Sequence, residues 1–534
     1  MDLPLLIAAL SDPAAYPDRP AVVEVRQTHI SAVFLAGNFV YKVKKPVRLS
    51  FLDFSTLDLR RHFCEEEVRL NRRLAPHVYL DVVPITRAGS QVTVAGPGET
   101  IDWAVKMRRL PEAATLEQRI ADGHISEDEV RRLGARLARF HQSAARSAHI
   151  SAFGRFECVA RNLRENFLVA EPMVGTTLSR TVRDRLCLLT DAALQQGESL
   201  IKARAERGLV CDTHGDLHLD HVYLFPEEPE PADLVIVDCI EFNERFRYTD
   251  PVADMAFLAM DLAFHGRRDL AELFVAEYFT TAGDDAGRSL LPLYLSYRAA
   301  VRGKVDGLQL AEPEIPQAAK DQALVRGRGH WLLALNALEV PERRAGLVLV
   351  GGLPGTGKST LAANLADRTG FQVIRSDVVR KELAGLTATE SAQAPVGEGL
   401  YTADATNRTY AECLRRVAAG LFAGERVLVD ATFIDEPRRR QFFDLAWSWG
   451  VPPLLLWCQA DAETIRQRIA ARHGDASDAD WSVYLHAAQR CQPLGATELR
   501  WSRVIGCDGT ADQACREALP ALCAVGLWSL PTTS

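Results

Sequence analysis

The sequence predicts a multidomain protein that joins an α+β part to an α/β part, and three observations predict this division. The chain has 534 residues, far more than one hydrophobic core usually organises. Its first hundred or so residues hold β-branched and aromatic strand candidates, whereas residues 115 to 338 are mostly helix-forming. After residue 345, apolar strand candidates alternate with helical stretches, which is typical of a parallel sheet with helices on both faces.

The composition excludes several classes of protein. Apolar residues make up 47% of the chain and charged residues 25%, so disorder and fibrous folds are not expected. The net charge is -8, and the 21 basic and 22 acidic residues after residue 340 show no excess of the kind that nucleic-acid phosphates require. The 11 scattered cysteines favour reduced thiols, and the N-terminal apolar stretch is too short for a signal peptide. We therefore expect a cytoplasmic protein without membrane segments.

The N-terminal part has the pattern of two lobes. The segments VVEVR, SAVFL and FVYKVKK, between residues 22 and 45, predict strands of a small antiparallel sheet, with a hairpin at Ala36-Gly37-Asn38. STLDLRRHFCEEEVRLNRRL predicts a helix, and TIDWAVKMRRL predicts a further strand. A β-rich small lobe followed by an α-rich large lobe is the order found in protein-kinase-like folds. We expect a bilobal domain at 1–338, with a small lobe at about 20–110 and a large lobe at about 111–338.

A polar linker at 339–345 precedes a second domain at 346–534. Its strand candidates are LVLVGG, FQVIRSD, RVLVDAT, PLLLWCQ and RVIGCD. The segment GLPGTGKS after the first of them fits G-x-x-x-x-G-K-[ST], the P-loop (Walker A) motif. Glycines let backbone N–H groups surround phosphate oxygens, the lysine reaches the β- and γ-phosphates, and the serine hydroxyl can ligate Mg²⁺. The predicted ATP-binding residues are Gly352, Gly355, Thr356, Gly357, Lys358, Ser359 and Thr360.

Charged residues at the following strand ends predict phosphoryl transfer. Asp377 follows the second strand, where a carboxylate can accept the proton of an acceptor hydroxyl, and Arg380 can hold the acceptor. Asp430 ends RVLVD in the position of a Walker-B carboxylate that holds Mg²⁺. For both aspartates, a helix cap is the alternative interpretation. Arg466, Arg468 and Arg472 lie on a predicted helix, where they form either a lid over the phosphates or a solvated face.

Together these residues resemble the P-loop kinase group of the AAA_33 type, which includes polynucleotide 5'-hydroxyl kinases, gluconate kinases, chloramphenicol phosphotransferases and zeta toxins. The resemblance covers roughly residues 345 to 525. It implies that Asp377 is the acceptor base, that Arg380 holds the acceptor, and that Arg468 and Arg472 are lid arginines. The acceptor itself stays open, because members of this group phosphorylate unrelated alcohols.

The segment THGDLHLDHVYLF at residues 213 to 225 begins like a kinase catalytic loop. Such a loop needs an Asp to orient the acceptor hydroxyl, an Asn five residues later to bind metal, and a second metal-binding Asp after the next strand. Asp216 and Asp238 occupy the two Asp positions, and His221 stands at the Asn position. Upstream, Lys42 is the candidate lysine for the nucleotide phosphates, with Lys44 as its competitor on the same strand face.

This order resembles the aminoglycoside phosphotransferase family, over roughly residues 20 to 310, and in particular bacterial proteins that fuse such a domain to a P-loop kinase domain. The resemblance implies that Asp216 is the catalytic base, that Asp238 is a metal ligand, and that Lys42 pairs with Glu67, with Glu66 as a weaker candidate. His221 departs from the family, because it stands at the metal-binding position where the family has Asn. The turn before the second strand lacks a Gly-rich phosphate cover, so Thr28 and Ser31 would have to replace it. Taken singly, the lysines and glutamates also fit a solvated surface.

Three functions stay open at this point. The first is an ATP- and Mg²⁺-dependent enzyme with two kinase-type domains that phosphorylates hydroxyls of small molecules. The second is a P-loop kinase regulated by a kinase-like sensor lobe, which His221 favours, because imidazole is a poorer Mg²⁺ ligand than an oxygen. The third is a polynucleotide 5'-hydroxyl kinase, against which the charge balance counts. A transition-metal site formed by His214, His218 and His221 is the competing interpretation of the loop.

Overall fold

The computed structural model describes residues 2–49, 51–313, 315–387, 390, 400, 402–471 and 480–529. Contacts between residues divide the chain into two compact units. The first unit comprises Met1–Val159, Gly197–Leu262 and Arg268–Tyr294, and the second comprises Ala160–Gln196, Ala263–Arg267 and Leu295–Ser534. The predicted small lobe falls within the first unit, and the predicted P-loop domain falls within the second.

The secondary structure is mixed throughout. The helices are α1 Leu3–Leu10, α2 Leu57–Asn71, α3 Leu116–Ala121, α4 Glu127–Ser143, α5 Ala148–Phe153, α6 Phe156–Val169, α7 Arg180–Glu206, α8 Glu244–Arg247, α9 Pro251–Phe264, α10 Arg268–Ala282, α11 Leu291–Gln309, α12 Gln317–Leu338, α13 Lys358–Thr369, α14 Ser376–Leu383, α15 Ala403–Phe422, α16 Glu436–Ser448, α17 Ala462–Ala470, α18 Trp481–Arg490, α19 Ala496–Arg500 and α20 Ala511–Ala524. The strands are β1 Val23–Gln27, β2 Ser31–Ala36, β3 Phe39–Lys44, β4 Arg48–Leu49, β5 Leu52–Asp53, β6 Tyr79–Ala88, β7 Gln91–Val94, β8 Glu99–Arg108, β9 Cys211–Asp212, β10 Val222–Leu224, β11 Leu234–Ile236, β12 Tyr248–Thr249, β13 Gly346–Gly351, β14 Gln372–Arg375, β15 Arg426–Asp430, β16 Pro453–Gln459 and β17 Ser502–Gly506.

A six-stranded antiparallel sheet, in the order β1-β2-β3-β8-β6-β7, organises the first unit. The predicted hairpin between β2 and β3 is confirmed, because Ala36 pairs with Phe39 and Gly37 supplies the positive φ of 63° in the turn. One face of the sheet packs against α1, where Leu6 and Tyr16 join the same core as Phe34.

Helix α2 covers the part of the sheet formed by β6 and β8. Its apolar face, with Cys64 and Val68, packs against Val105 of β8 and Val235 of β11. The N-cap is Thr56, whose hydroxyl accepts a hydrogen bond from the backbone N–H of Leu59. This packing turns Glu67 of the helix toward the lysines of β3.

A buried arginine ties the helical part of the first unit together. Arg204, at the end of α7, is 2% exposed and donates to the carboxylates of Asp250 and Asp284, with four N···O distances between 2.6 and 2.9 Å. Asp250 also accepts from the backbone N–H of Val252 at the start of α9. The guanidinium therefore joins α7, the first turn of α9 and the segment after α10.

The second unit is organised by a five-stranded parallel sheet in the order β14-β15-β13-β16-β17. From the central β13 the chain goes first to the edge strand β14 and returns to β15, which lies between them; it then crosses to the other side of β13 and forms β16 and β17. In sheets of this kind ligands bind at the carboxyl ends of the strands, where the strand order reverses. Helix α13 follows β13 at that point, and both it and α20 pack on the sheet around Leu361 and Ala518.

The predicted fold class is confirmed: an α+β N-terminal part with an antiparallel sheet is followed by an α/β part with a parallel sheet and a P-loop. All five strand candidates of the second domain form strands, and so do the three N-terminal candidates. Strands β6 and β7 are additional to those predicted. In the described ranges of the chain, every helix is too short or too polar to cross a membrane.

The Arg204 network makes a prediction about stability. We expect Arg204→Met to lower the free energy of unfolding by about 3–5 kcal/mol, because it leaves two carboxylates without their buried cation. The measurement is urea denaturation of the full chain. As a control, Arg204→Met combined with Asp250→Asn and Asp284→Asn removes the charges and should recover most of the loss. A single variant as stable as the wild type would contradict the prediction.

Candidate active sites

The P-loop of the second unit follows the buried strand β13 and ends where α13 begins. Three of its glycines have positive φ angles, 136° at Gly352, 82° at Gly355 and 97° at Gly357. A Cβ on Gly352 would lie 2.5 Å from the carbonyl oxygen of Cys458, so a larger residue does not fit there. Gly357 is the residue before the first turn of α13, and the backbone N–H groups of that turn form the positive end of the helix. The loop has the conformation that a phosphate-binding turn requires.

Side chains of the loop hold its shape. The Lys358 ammonium and the Thr356 hydroxyl both donate to the carbonyl oxygen of Leu353, each at 2.8 Å. Thr356 is buried, whereas Thr360 on α13 is exposed. Lys358 thus lies folded over the loop, with its charge beside the backbone that would surround a phosphate.

Asp430, at the end of β15, lies beside the start of α13. It pairs in register with Val350 of β13 on one side and with Arg375 of β14 on the other. Burial raises the pKa of Asp430, against the opposing charge of Lys358 and a hydrogen bond from the Ser359 hydroxyl. The Arg375 Nε lies 3.5 Å from the carboxylate. A hydroxyl and a carboxylate oxygen side by side are donors that suit Mg²⁺, so these residues fit the ion that the P-loop implies.

The predicted acceptor residues follow β14. Asp377 lies in the first turn of α14 and interacts electrostatically with Asp430. Arg380, one turn later, donates to the Leu400 carbonyl at 3.0 Å and to the Thr406 hydroxyl at 3.1 Å. The structure therefore brings Asp377 near the P-loop carboxylate and directs Arg380 toward the segment that leads into α15.

Of the three predicted lid arginines, Arg468 lies at the P-loop. Its Nη2 donates to the Cys507 carbonyl at 2.7 Å, and its Nη1 lies 3.5 Å from the position of a Cβ on Gly357. Within the described part of the chain, this buried Nη1 has no hydrogen-bond acceptor. Arg466 instead stacks on the Trp481 ring, and Arg472 lies outside the described residues.

In the first unit, Lys42 and Lys44 lie on the same face of β3 and bracket the carboxylate of Glu67. The Lys42 ammonium lies 2.9 Å from Glu67 and 2.6 Å from Asp238, and the Lys44 ammonium lies 2.7 Å from Glu67. Lys44 also contacts Glu241 and is only 1% exposed, against 15% for Lys42. The structure thus brings Lys42, Glu67 and Asp238 together as the sequence predicts, and it adds a second, buried ion pair that the sequence analysis missed.

The neighbouring candidates in the small lobe lie elsewhere. Glu66 pairs with Arg69 on the outer face of α2. Thr28 and Ser31 bond to each other within the turn between β1 and β2: the Ser31 backbone N–H donates to the Thr28 hydroxyl at 3.0 Å. The Ser31 side chain is buried, so this turn does not expose it toward a ligand.

Asp254 of α9 holds the loop that begins at Thr213 in place through hydrogen bonds to its backbone. It is fully buried, and its carboxylate accepts from the backbone N–H groups of His214 and Gly215 at 3.1 and 2.8 Å and contacts His141 Nε2 at 3.1 Å. Asp261, two turns later, accepts from the Leu219 N–H at 2.9 Å. Sequence analysis missed both. Their signal is two acidic residues, seven apart, in the otherwise apolar helix PVADMAFLAMDLAF.

The histidines of the loop separate into two groups. His214 Nε2 contacts the Val237 carbonyl at 2.9 Å, its Nδ1 accepts from the Asp216 N–H, and burial lowers its pKa to about 4. His218 and His221 instead lie with their ring centroids 3.9 Å apart. In the described ranges, the group that could hold a metal ion consists of Asp216, His218 and His221, so His214 is replaced by Asp216 in the predicted set.

The first-unit site does not fit Mg²⁺ as well as the P-loop does. Mg²⁺ prefers oxygen donors, whereas two of the three side chains in this group are imidazoles. Asp238, with φ of 64°, lies on the far side of His221, whose Nε2 is 3.6 Å from its carboxylate.

Comparison with known proteins gives a family and several similar folds. A family model described as an AAA domain (AAA_33) matches residues 347–494, which confirms the predicted resemblance of that part. The uncharacterized protein Rv2004c of Mycobacterium tuberculosis is 35% identical over 468 residues, which cover 88% of this chain and 90% of that protein. The uncharacterized protein Mb2027c of Mycobacterium bovis matches to the same extent.

Two solved structures are similar to separate parts of the chain. The amicoumacin kinase hAmiN, in complex with AMP-PNP, Ca²⁺ and Ami, is 13% identical with a TM-score of 0.38, over 62% of this chain and 93% of that chain. A sugar kinase from Janibacter sp. HTCC2649 is 21% identical with a TM-score of 0.28, over 34% of this chain and 98% of that chain.

The two lysines of β3 are expected to differ in their effect on stability. Lys44→Met leaves Glu67 and Glu241 buried next to each other, so we expect it to cost about 3–5 kcal/mol of unfolding free energy. Lys42→Met should cost clearly less, because Lys42 and Asp238 are both partly exposed. Chemical denaturation of the full chain measures both, and Lys44→Met with Glu241→Gln should recover part of the loss. Equal losses for the two single variants would contradict this distinction.

Proposed function

Since the chain belongs to the same family as the mycobacterial proteins Rv2004c and Mb2027c, we propose a function for it that rests on its own two sites. The protein is an ATP-dependent phosphotransferase with two kinase-type domains, and it transfers the γ-phosphate to a hydroxyl group of a small molecule. The domains are those at 1–338 and 346–534, joined by the linker at 339–345. We propose a cytoplasmic enzyme that uses ATP and Mg²⁺.

One observation carries this proposal: a P-loop lysine, a hydroxyl–carboxylate pair and an arginine converge on one loop. Lys358 lies over the loop, Ser359 and Asp430 lie side by side, and Arg468 reaches Gly357. A triphosphate needs cations and N–H donors around its terminal oxygens, and these residues supply both. The site could equally serve hydrolysis if no acceptor residues were present.

Asp377 supplies the argument for transfer rather than hydrolysis. It follows β14, next to the strand that carries Asp430, and its negative charge helps to raise the pKa of that carboxylate. A carboxylate in this place can accept the proton of an acceptor hydroxyl while the oxygen attacks the γ-phosphorus. The bond between the γ-phosphorus and the bridging oxygen then breaks, and ADP leaves.

The remaining residues position the phosphates and the acceptor, and they stabilise charge on the group that is transferred. Lys358 exchanges the Leu353 carbonyl for phosphate oxygens, and Arg468 stabilises charge on the transferring group, as lid arginines do. Ser359 and Asp430 would hold Mg²⁺, which when bound neutralises charge on the β- and γ-phosphates. Arg380 and the Thr406 hydroxyl that it contacts border the space where an acceptor would lie.

A second candidate function is favoured by the first unit. There His221 stands where an oxygen donor is expected, and it lies against His218. In this interpretation the first unit binds a ligand and regulates the P-loop kinase, without transferring phosphate itself. A polynucleotide acceptor is less favoured, because neither part of the chain has an excess of basic residues.

The P-loop is expected to be the main ATP site. Lys358→Ala removes the point charge at the β- and γ-phosphates, so ATP turnover by the full chain should fall by about 10²-fold or more. Turnover is measured as ADP release with a fractionated metabolite pool as acceptor. Lys202→Ala, which changes a surface lysine paired with Glu198, is the matched control. Unchanged turnover in Lys358→Ala would assign the main ATP site to the first unit.

Asp377 is expected to act on the acceptor rather than on the nucleotide. Asp377→Asn should leave the dissociation constant for ATP nearly unchanged and reduce phosphotransfer by about 10²- to 10⁴-fold, the usual contribution of a general base. The exposed Asp367 on α13 provides the control Asp367→Asn. A parallel loss of ATP affinity would instead place Asp377 in the metal shell or in folding.

A further inference from the structure

The loop between β9 and β10 in the first unit holds three side chains that can ligate a metal, and they lie close together. One ligand atom from each of Asp216, His218 and His221 lies within 4.8 Å of the others. Bonds of about 2.0–2.2 Å to imidazole and carboxylate donors place two ligands of one ion at most about 4.4 Å apart. A tetrahedral ion with such bonds holds its ligands about 3.4 Å apart, so the three side chains would have to draw together to bind one ion.

We propose that Asp216, His218 and His221 bind a first-row transition-metal dication of the Fe²⁺ to Zn²⁺ class, in preference to Mg²⁺. The proposal goes beyond phosphotransfer by the P-loop domain, and it names a ligand for the regulatory lobe of the second candidate function. It does not require the first unit to bind ATP.

Neighbouring oxygens orient both imidazoles. The Nδ1 of His218 contacts the carboxylate of Asp220, and the Nδ1 of His221 contacts the Asp216 carbonyl at 2.8 Å. With the proton on Nδ1 in each ring, the Nε2 lone pair faces into the group. Histidines that ligate metals commonly donate their other nitrogen to a carboxylate or a carbonyl in this way, which fixes the tautomer and the ring orientation.

Each Nε2 then faces a carboxylate across a distance that suits a shared ion. His218 Nε2 lies 3.4 Å from Asp216, and His221 Nε2 lies 3.6 Å from Asp238. A direct N–H···O hydrogen bond to a carboxylate is shorter, about 2.7–2.9 Å. Separations near 3.4 Å are expected between two ligands of a tetrahedral ion whose bonds are about 2.1 Å long. Asp238 lies beside His221 but outside the group of three, and its carboxylate pairs with Lys42.

The donor set selects the metal. Imidazole suits zinc, iron, copper and nickel, whereas Mg²⁺ takes oxygen donors and keeps its waters. The group is also partly shielded, because the His218 side chain is 7% exposed and its ring lies 5.8 Å from that of Phe257. Two imidazoles and one carboxylate in a shielded position favour a transition-metal dication.

The alternative arrangement is a pair of imidazolium ions. A protonated His218 would lie between Asp216 and Asp220, and a protonated His221 would face Asp238, with no metal. This alternative and the metal site make opposite predictions for metal binding by the nucleotide-free protein.

The test uses the full chain, treated with chelator and free of nucleotide, and titrated with Zn²⁺ and Mg²⁺ by calorimetry. We expect one Zn²⁺ per chain that Mg²⁺ at the same concentration does not displace. His218→Gln and His221→Asn should each weaken Zn²⁺ binding by more than about tenfold, and Asp220→Asn, which removes only the orienting carboxylate, by about 10- to 100-fold. His149→Asn is the matched control, because His149 forms a surface pair with Glu244.

Cobalt substitution identifies the ligands independently. Co²⁺ bound to imidazole and carboxylate should give visible d–d absorption without a cobalt–thiolate charge-transfer band, and His218→Gln should abolish that absorption. Far-UV circular dichroism checks that each variant is folded, and for a variant that is not folded the Asp220→Asn titration decides. Absence of Zn²⁺ binding, equal binding by the ligand variants and the control, preference for Mg²⁺, or a thiolate band would each overturn the proposal. Because no nucleotide is present, none of these outcomes depends on the phosphotransfer function.

Discussion

The carboxylate of Glu67 is the charge on which the site of the first unit depends. It comes from α2, and it meets Lys42 and Lys44 from β3, while Asp238 and Glu241 approach the same lysines from the segment after β11. Removing charges of this kind from water is costly unless each finds a partner, so the three segments must dock in one register. Burial would raise the pKa of Glu67, but the two lysines outweigh it and hold the pKa below its usual range.

The second unit holds its cations in a different way. Lys358, Arg380 and Arg468 each donate to a backbone carbonyl, at 2.8, 3.0 and 2.7 Å. A carbonyl oxygen orients an ammonium or a guanidinium without neutralising its charge, and phosphate oxygens can replace it at little electrostatic cost. The lysines of the first unit, in comparison, form ion pairs with the carboxylates of Glu67, Asp238 and Glu241.

Features of the fold and the sites that depend on a few neighbouring residues were predictable from the sequence, whereas features that depend on long-range contacts were not. The P-loop, its flanking strands and the β2–β3 hairpin follow from short patterns, because glycine conformation and alternation of apolar residues act over a few positions. Strand β6 was not predicted, and Pro84 within it is a residue that argues against a central strand. The structure accommodates Pro84 because β7 pairs with β6 only from Ile85 onward. The roles of Asp254 and Glu241 depend on long-range contacts, which no local pattern specifies.

Local sequence patterns also did not specify which side chains of the loop at residues 213 to 225 lie together. Five of its side chains can ligate metal, and the competing metal-site interpretation grouped the three histidines. Gly215, at a φ of 90°, turns the chain so that His214 faces back toward the Val237 carbonyl, while Asp216 enters the group with His218. A Cβ at position 215 would lie 2.9 Å from the Phe246 carbonyl, so the turn needs glycine. One backbone angle thus decides which residues share a site.

Charge gives the last constraint on what the first unit can bind. Two lysines face five carboxylates there, so with neutral imidazoles the site carries a net negative charge before any ligand arrives. A triphosphate would add further negative charge in a partly shielded place, where repulsion is poorly screened. A cation bound by Asp216, His218 and His221, as proposed above, would offset part of this charge before a phosphate binds. The residues counted are Lys42 and Lys44 against Glu67, Asp216, Asp220, Asp238 and Glu241.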